Sequence, residues 1–247
     1  MRYLVAIPAL NEEAAIGSVL ESLSKVHPLD DVVVVDDGSR DDTSRIARAA
    51  GARVLSHAIN LGVGAAMGTA FRFAAQNGYE AVVQFDGDGQ HRPEHIAELI
   101  DALEDADVVI GSRYAGVGDY RSSAARRGIQ RVIAWVVSLY ARTKLTDATS
   151  GFRAAGPRAL RVFAQHYPVE WLGDTVESIV LVTRQGLRVS EVPVGMNARA
   201  GGNPSQSALR AMLHTARILF ILVLAGIRSV PPQLRQMAAR NDAGEVS

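Results

Sequence analysis

The chain has 247 residues, with 26 basic and 26 acidic side chains for a formal net charge of zero, and 48% of its residues are hydrophobic. It contains no cysteine, which excludes disulfides, thiolate metal sites and cysteine nucleophiles. This length suits one α/β core, and the balanced charge gives no ground to expect a nucleic-acid partner.

The zero net charge hides a segregation. Residues 1–107 hold 18 acids and 8 bases, whereas residues 108–247 hold 8 acids and 18 bases. An acidic half suits metal binding, and a basic half suits phosphates or an anionic membrane. Solvated faces that happen to segregate are the plain alternative.

In chain order, short β-branched runs alternate with helical patterns. Tyr3–Ile7, Val32–Val35, Arg53–Ser56, Ala81–Phe85 and Val108–Ile110 read as buried strands. The start, Met1 to Pro8, reads as the first strand and not as a signal peptide. Helices are expected near Glu12–Lys25, Asp42–Ala50, Gly64–Asn77 and Pro93–Leu103. Asp41, Asp42 or Thr43 can cap the second, and Pro93 suits the first turn of the fourth. The alternation predicts a mostly parallel central sheet with helices on both faces. In such sheets ligands bind beyond the carboxyl ends of the strands, where the polar clusters of this chain fall.

Past residue 111 the pattern predicts a helix over Arg126–Arg142 with an apolar face of Ile129, Val132, Ile133, Val136, Val137 and Tyr140. Arg127, Gln130, Arg131 and Ser138 gather on its other side. A loop through Thr146–Gly151, a helix near Thr175–Arg184 and a strand near Arg188–Val192 follow. Ser205–Ile227 reads as one long helix, ended by Pro231 and Pro232, before a polar tail expected to be disordered. Its apolar stretch, Ile218–Ile227, has ten residues, against about 20 needed to span a bilayer. At 100° per residue Arg210, His214, Arg217 and Arg228 fall within about 60° of one another. This is the pattern of an amphipathic helix at a membrane interface, although packing on the sheet is an alternative for its first half. The implied division is 1–204 for the α/β domain, 205–230 for the interface helix and 231–247 for the tail.

The strongest local signal is Asp86-Gly-Asp88-Gly-Gln90-His91, directly after a strand. Two carboxylates two residues apart, flanked by glycines, can share Mg²⁺ or Mn²⁺ and so neutralise a diphosphate. A solvated acidic turn is the bland alternative. Asp36-Asp37-Gly38-Ser39 closes the second strand, where carboxylates can accept bonds from a base or ribose. Pro8-Ala-Leu-Asn11-Glu12-Glu13 can wall a nucleotide pocket. Asn60-Leu-Gly62-Val-Gly64-Ala-Ala-Met-Gly68 approaches the dinucleotide fingerprint, but it follows the third strand and not the first. Its glycines fit better as a close backbone approach to a nucleotide sugar.

In this order and spacing the four motifs resemble the family 2 glycosyltransferases of GT-A fold, over roughly residues 1–200. Gly111-Ser-Arg113-Tyr and Asp147-Ala-Thr-Ser-Gly-Phe-Arg153 are similar to the branch of dolichyl- and polyprenyl-phosphate sugar synthases. Gly173-Asp-Thr-Val-Glu177 and the Gly202 stretch look most like members that make polyprenyl-phosphate amino sugars. The resemblance implies nucleotide-sugar contacts from Pro8, Asn11, Glu12, Asp36, Asp37, Gly62, Gly64 and Asp86. It implies a metal site of Asp86, Asp88 and Gln90, and phosphate contacts from Arg113, Arg126, Arg127 and Arg199. Asp88 and Arg113 stand as catalytic candidates. Asp174 and Glu177 join them as potential bases, though Asp174 capping a helix fits equally.

The implied reaction is a single, inverting displacement from a nucleotide diphosphate sugar, UDP-linked by family default, to a polyprenyl phosphate. The implied setting is the cytoplasmic face of the membrane, with the protein peripheral and a small membrane-protein partner an open question. A sugar or lipid hydroxyl acceptor, which would need a base, is the second reading. A degenerate transferase serving as a membrane scaffold is the third, and intact Asp86, Asp88 and Arg113 speak against it.

Overall fold

A computed structural model describes residues 1–115, 124–168 and 174–197, with the backbone alone for 124–126 and 174. The expected helix over 205–230, the tail, Arg199, and the side chains of Arg126 and Asp174 lie outside the described residues.

Among the described residues seven strands form one sheet: β1 (Tyr3–Ala9), β2 (Val32–Asp36), β3 (Arg53–Ser56), β4 (Ala81–Gln84), β5 (Val108–Ser112), β6 (Arg153–Ala155) and β7 (Val189–Pro193). Their order is β3-β2-β1-β4-β6-β5-β7. All neighbours run parallel except β6, which is antiparallel to both β4 and β5. Among the described residues seven α-helices cover the sheet: α1 (Ile16–Ser24), α2 (Thr43–Ala49), α3 (Val63–Gln76), α4 (Ile96–Asp101), α5 (Ala124–Ala141), α6 (Pro157–Gln165) and α7 (Asp174–Thr183).

The continuous apolar runs of β1 and β2 follow from burial on both faces. Successive strand residues point to opposite sides. Leu4, Ala6, Val33 and Val35 pack with α3, α6 and α7. Val5, Ile7, Val32 and Val34 pack with α1 and the Ile96–Leu99 face of α4. Polar alternation would leave half of each strand unsatisfied in one of these cores. Phe71 of α3 meets Phe163 of α6 at 4.9 Å and Tyr167 at 5.0 Å, geometry that adds to area burial for aromatic pairs.

Three expectations change. Helix α1 begins at Ile16, because Glu12–Ala15 form a turn in which Ala15 and Ile16 donate to the Glu12 carbonyl. Strand β6 and helix α6 replace a stretch without assigned structure, since Arg153-Ala-Ala carries no β-branched signal. On α5 the expected faces are partly exchanged: Gln130 is buried and Val132 is 49% exposed. Gln130 turns inward because Tyr114 donates its hydroxyl to the Gln130 amide oxygen at 2.5 Å.

Candidate active site

The sheet order sets the carboxyl ends of β2, β1 and β4 side by side. Because β6 is antiparallel, its entry segment Thr146–Phe152 arrives at that same edge, between the ends of β4 and β5. Five loops therefore converge where a parallel sheet receives its ligand.

The loops after β1 and β2 are laced together by main-chain donors. Asn11 donates its N–H to Ser39 Oγ at 2.9 Å, and Arg40 donates to the Asn11 side-chain oxygen at 2.9 Å. Glu12 donates to Thr43 Oγ1 at 2.8 Å. Asn11 sits at φ 54°, the left-handed region that Asn tolerates better than most residues. Asp41 accepts from the N–H of Thr43 at 3.0 Å and so closes the start of α2, while Asp42 instead pairs with Arg45 at 2.7 Å.

Asp36 and Asp37 are both buried and both engaged. Burial pushes the Asp36 carboxyl up, but bonds from Ser39 and Ser44 outweigh it and hold the group below its ordinary value. Asp37 accepts from the N–H groups of Leu61 at 2.9 Å and Gly62 at 2.7 Å, and its other contact is His57 Nδ1 at 2.7 Å. It therefore fixes the Asn60–Gly62 bend, where Gly62 has φ 94°. Gly64 lies buried in the first turn of α3. Gly68, the last glycine of that run, meets Tyr167 of the α6 side at 3.6 Å from an added Cβ, which is a packing role.

The Asp86 turn has a defined seat. Asp86 donates its N–H to His91 Nδ1 at 3.0 Å. His91 is buried and stacked on Phe152 at 4.7 Å, and burial pushes its pKa down against the pull of Asp86 and Asp88. A Cβ at Gly151 would fall 2.9 Å from both carboxylate oxygens of Asp86, so only glycine lets this carboxylate stand where it does. Gln90 donates its backbone N–H to Asp88 at 3.0 Å and its side-chain amide to Asp88 at 2.5 Å. Asn197, beyond β7, donates to the Gln90 carbonyl at 2.8 Å and ties that segment over the turn.

Among the described residues no three His, Asp or Glu side chains converge as a ready metal cage. Two carboxylates at a glycine turn still fit Mg²⁺ or Mn²⁺, which usually takes one or two protein carboxylates and completes its shell with water and substrate phosphates. A contrast between two glycines tests the seat. Gly87→Ala should be tolerated, because its Cβ meets nothing nearer than 3.5 Å. Gly151→Ala should lose most activity while melting cooperatively. Equal activity in both variants, measured as turnover beside thermal unfolding, would contradict this geometry.

Arg113, following β5, forms a two-pronged pair with Asp147: Nε to Oδ2 at 2.6 Å and Nη2 to Oδ1 at 2.8 Å. Nη2 also donates to Thr149 Oγ1 at 3.0 Å. Burial pushes the Asp147 carboxyl up, yet the Arg113 guanidinium more than offsets this and holds it below the usual carboxylate range. Glu191 of β7 accepts from the N–H of Thr146 at 2.8 Å and of Asp147 at 3.3 Å. A buried anchor thus shapes the loop leading to Gly151.

Of the residues singled out from sequence, Pro8, Asn11, Glu12, Asp36, Asp37, Gly62, Asp86, Asp88, Gln90 and Arg113 share this edge. Arg127 sits exposed near the start of α5, and Glu177 is half-buried in α7. Asp147, Glu191, His91 and Gly151 were not assigned individual roles from sequence. His91, Asp147 and Gly151 each lie inside a recognised motif, whereas Glu191 offered no signal.

A mostly parallel α/β sheet with its polar loops gathered at this edge is the fold of the GT-A glycosyltransferases. The chain belongs to glycosyl transferase family 2, whose model matches residues 4–165, and it is an enzyme of that class. It is 34% identical over 217 residues to the undecaprenyl-phosphate mannosyltransferase of Micrococcus luteus, covering 84% of this chain and 88% of that one. It is 28% identical to the UDP-N-acetylglucosamine–dolichyl-phosphate N-acetylglucosaminyltransferase of Methanococcus voltae, covering 78% and 84%. Among solved structures, glucosyl-3-phosphoglycerate synthase from Mycobacterium tuberculosis, in complex with Mn²⁺, UDP-glucose and phosphoglyceric acid, superposes with a TM-score of 0.68. That match is 25% identical and covers 92% of this chain and 81% of the other.

Proposed function

We propose that the chain is an inverting transferase that moves a sugar from a UDP-sugar to a polyprenyl phosphate at the cytoplasmic face of the membrane. The observation that carries this reading is the Asp86–Asp88 turn, seated against Gly151 at the end of the central strand β4. It stands in a chain 34% identical to a protein named for polyprenyl-phosphate mannosylation. The solved neighbour with Mn²⁺ and UDP-glucose supports a divalent cation and a uridine donor.

Asp86 and Asp88 would hold the cation, and Gln90 orients Asp88 through its two donated bonds. Bound Mg²⁺ or Mn²⁺ supplies electrostatic stabilisation of the charge that builds on the departing diphosphate. Asp36 and Asp37 shape the donor pocket from beneath: their carboxylates fix the Ser39 turn and the Gly62 bend. Pro8, Asn11, Glu12, Gly62 and Gly64 border the space left for the nucleotide.

A phosphate monoester with a second pKa of about 6 is mostly dianionic at neutral pH and needs no base to attack. The chain must instead offset repulsion between two anions. Arg127, Arg131, Arg142 and Lys144 line a cavity of about 690 Å³ between α5 and the segment returning to Thr146. Trp135 and Leu139 line the same cavity, a pairing of cations with apolar surface that suits a phosphate on a lipid. Arg113 shares the site but is braced on Asp147, and Arg126 and Arg199 are further phosphate contacts in this proposal. Asp174 or Glu177 would serve as a base only for a hydroxyl acceptor. Glu177→Gln should therefore keep substantial turnover with polyprenyl phosphate, and dephosphorylated polyprenol should not react. A drop of about a hundredfold or more in Glu177→Gln, the scale of a lost general base, would reverse the choice of acceptor.

No helix among the described residues is long and apolar enough to cross a membrane. Membrane contact is proposed through α5, where Trp135 is 64% and Leu139 61% exposed, together with the amphipathic segment 205–230. Tyr140, on the apolar face of the same helix, packs against the core. Wild-type protein should float with anionic liposomes at low salt. Trp135→Ser combined with Arg131→Glu should weaken flotation, and removal of residues 205–247 should abolish it. Flotation of all three alike would contradict this attachment.

A further inference from the structure

Arg153 is 3% exposed and lies on β6, the short antiparallel strand between β4 and β5. A cation removed from water is costly unless paired, and no carboxylate of the described residues forms an ion pair with it. Its donors go to neutral oxygens on two different elements. Nε and Nη2 donate to the Ser150 carbonyl at 3.2 Å and 2.5 Å. Nη1 donates to the Thr175 carbonyl at 3.0 Å and to Ser178 Oγ at 3.0 Å.

One arm therefore grips the residue directly before Gly151, the glycine against which the Asp86 carboxylate rests. The other grips the first turns of α7, the helix that carries Glu177 and begins at Asp174. Gln84 is the register partner of Arg153, directly opposite on β4 and two residues before Asp86. It too is buried, and its Oε1 has no partner among the described residues, like Ser150 Oγ nearby. A polar layer holding a cation with no carboxylate partner among the described residues costs stability, and such layers persist where they fix geometry.

We propose that Arg153 is a positioning residue that locks the wall behind Asp86 and the first turns of α7 to one strand. The guanidinium is suited to this task by shape: its planar fork spans two carbonyls in different directions. A lysine ammonium keeps the charge but is a compact point on a flexible stem. The inference rests on the proposed cation-binding role of Asp86, and it adds a residue that itself touches neither cation nor substrate.

The test uses the full chain with UDP and Mn²⁺, reading free Mn²⁺ by electron paramagnetic resonance beside steady-state kinetics and thermal unfolding. Arg153→Lys should melt cooperatively, bind Mn²⁺ about tenfold more weakly, and lose about tenfold or more in kcat at saturating cation, the scale of losing support behind a metal ligand. Ser178→Ala, which trims only the α7 arm, should leave Mn²⁺ affinity within about twofold while lowering kcat, a split that general loosening of the fold would not produce. Wild-type Mn²⁺ affinity in Arg153→Lys, with affinity lost in Asp86→Ala, overturns the positioning role alone. Wild-type affinity in Asp86→Ala overturns the cation-site reading, and the role of Arg153 falls with it. Should Arg153→Lys fail to fold, Ser178→Ala decides: lowered kcat with intact Mn²⁺ binding supports the proposal, and unchanged kcat refutes it.

Discussion

Asp88→Ala is expected to reduce sugar transfer by about a hundredfold or more, the loss associated with removing one preorganised electrostatic contributor. Asp88 is half-exposed at the open end of the turn and takes two bonds from Gln90. Its removal should leave the fold intact, because it contributes to neither hydrophobic core. Excess chelator should silence the wild type to a similar degree. Full activity in chelator, or near-normal turnover by a folded Asp88→Ala protein, would dismiss the cation from the reaction.

The second large effect is expected at Asp147. Its side chain is 0% exposed and pairs with both prongs of Arg113. Breaking a buried pair from one side typically costs about 3–5 kcal/mol, since the remaining charge loses its partner. Asp147→Asn should lower the melting temperature sharply and loosen the loop that leads to Gly151. The pH dependence has a definite sign. The folded-state pKa of Asp147 is depressed, so its stabilisation is fully present above the unfolded value of about 3.9 and is lost as pH falls through the folded value. Wild-type stability should therefore decline below about pH 4, with a shallower acid limb in Asp147→Asn. Identical acid limbs in denaturant melts would contradict the pair's contribution.

Much of this architecture was legible because its signals are local. The β-branched runs of β1, β2 and β4 announce strands buried on both faces, and the Asp86 turn follows β4 directly. The helices expected within the described residues recur within a few residues of their observed bounds. What was not legible depends on long-range pairing. Strand β6 has three residues, Arg-Ala-Ala, and gains its identity only from partners on β4 and β5. Helix α6 was legible but not read: Ala159, Leu160, Val162 and Phe163 recur at helical spacing, with Arg158 and Arg161 beside them.

The same reasoning applies to the site. Arg113 and Asp147 are 34 residues apart in the chain; Arg113 reads alone as a phosphate ligand, and Asp147 carries no individual role. Brought together they brace one another, so the basic character of Arg113 serves loop architecture as well as any anion. Asp37 reads as a nucleotide contact from sequence. In the fold its carboxylate holds the main chain of Leu61 and Gly62, an arrangement that no spacing rule anticipates. Glu191, on an edge strand, carries no local mark of its bonds to Thr146 and Asp147.

The measurement that bears most directly on the proposed function is product identification. The purified chain would be incubated with Mn²⁺, a panel of UDP- and GDP-sugars and undecaprenyl phosphate, and the lipid fraction analysed by mass spectrometry. One sugar is expected on the lipid phosphate through a single glycosyl phosphate bond, from a UDP-sugar, with no product in chelator. Transfer to polyprenol or to a free sugar, with undecaprenyl phosphate left unmodified, would contradict the proposed function.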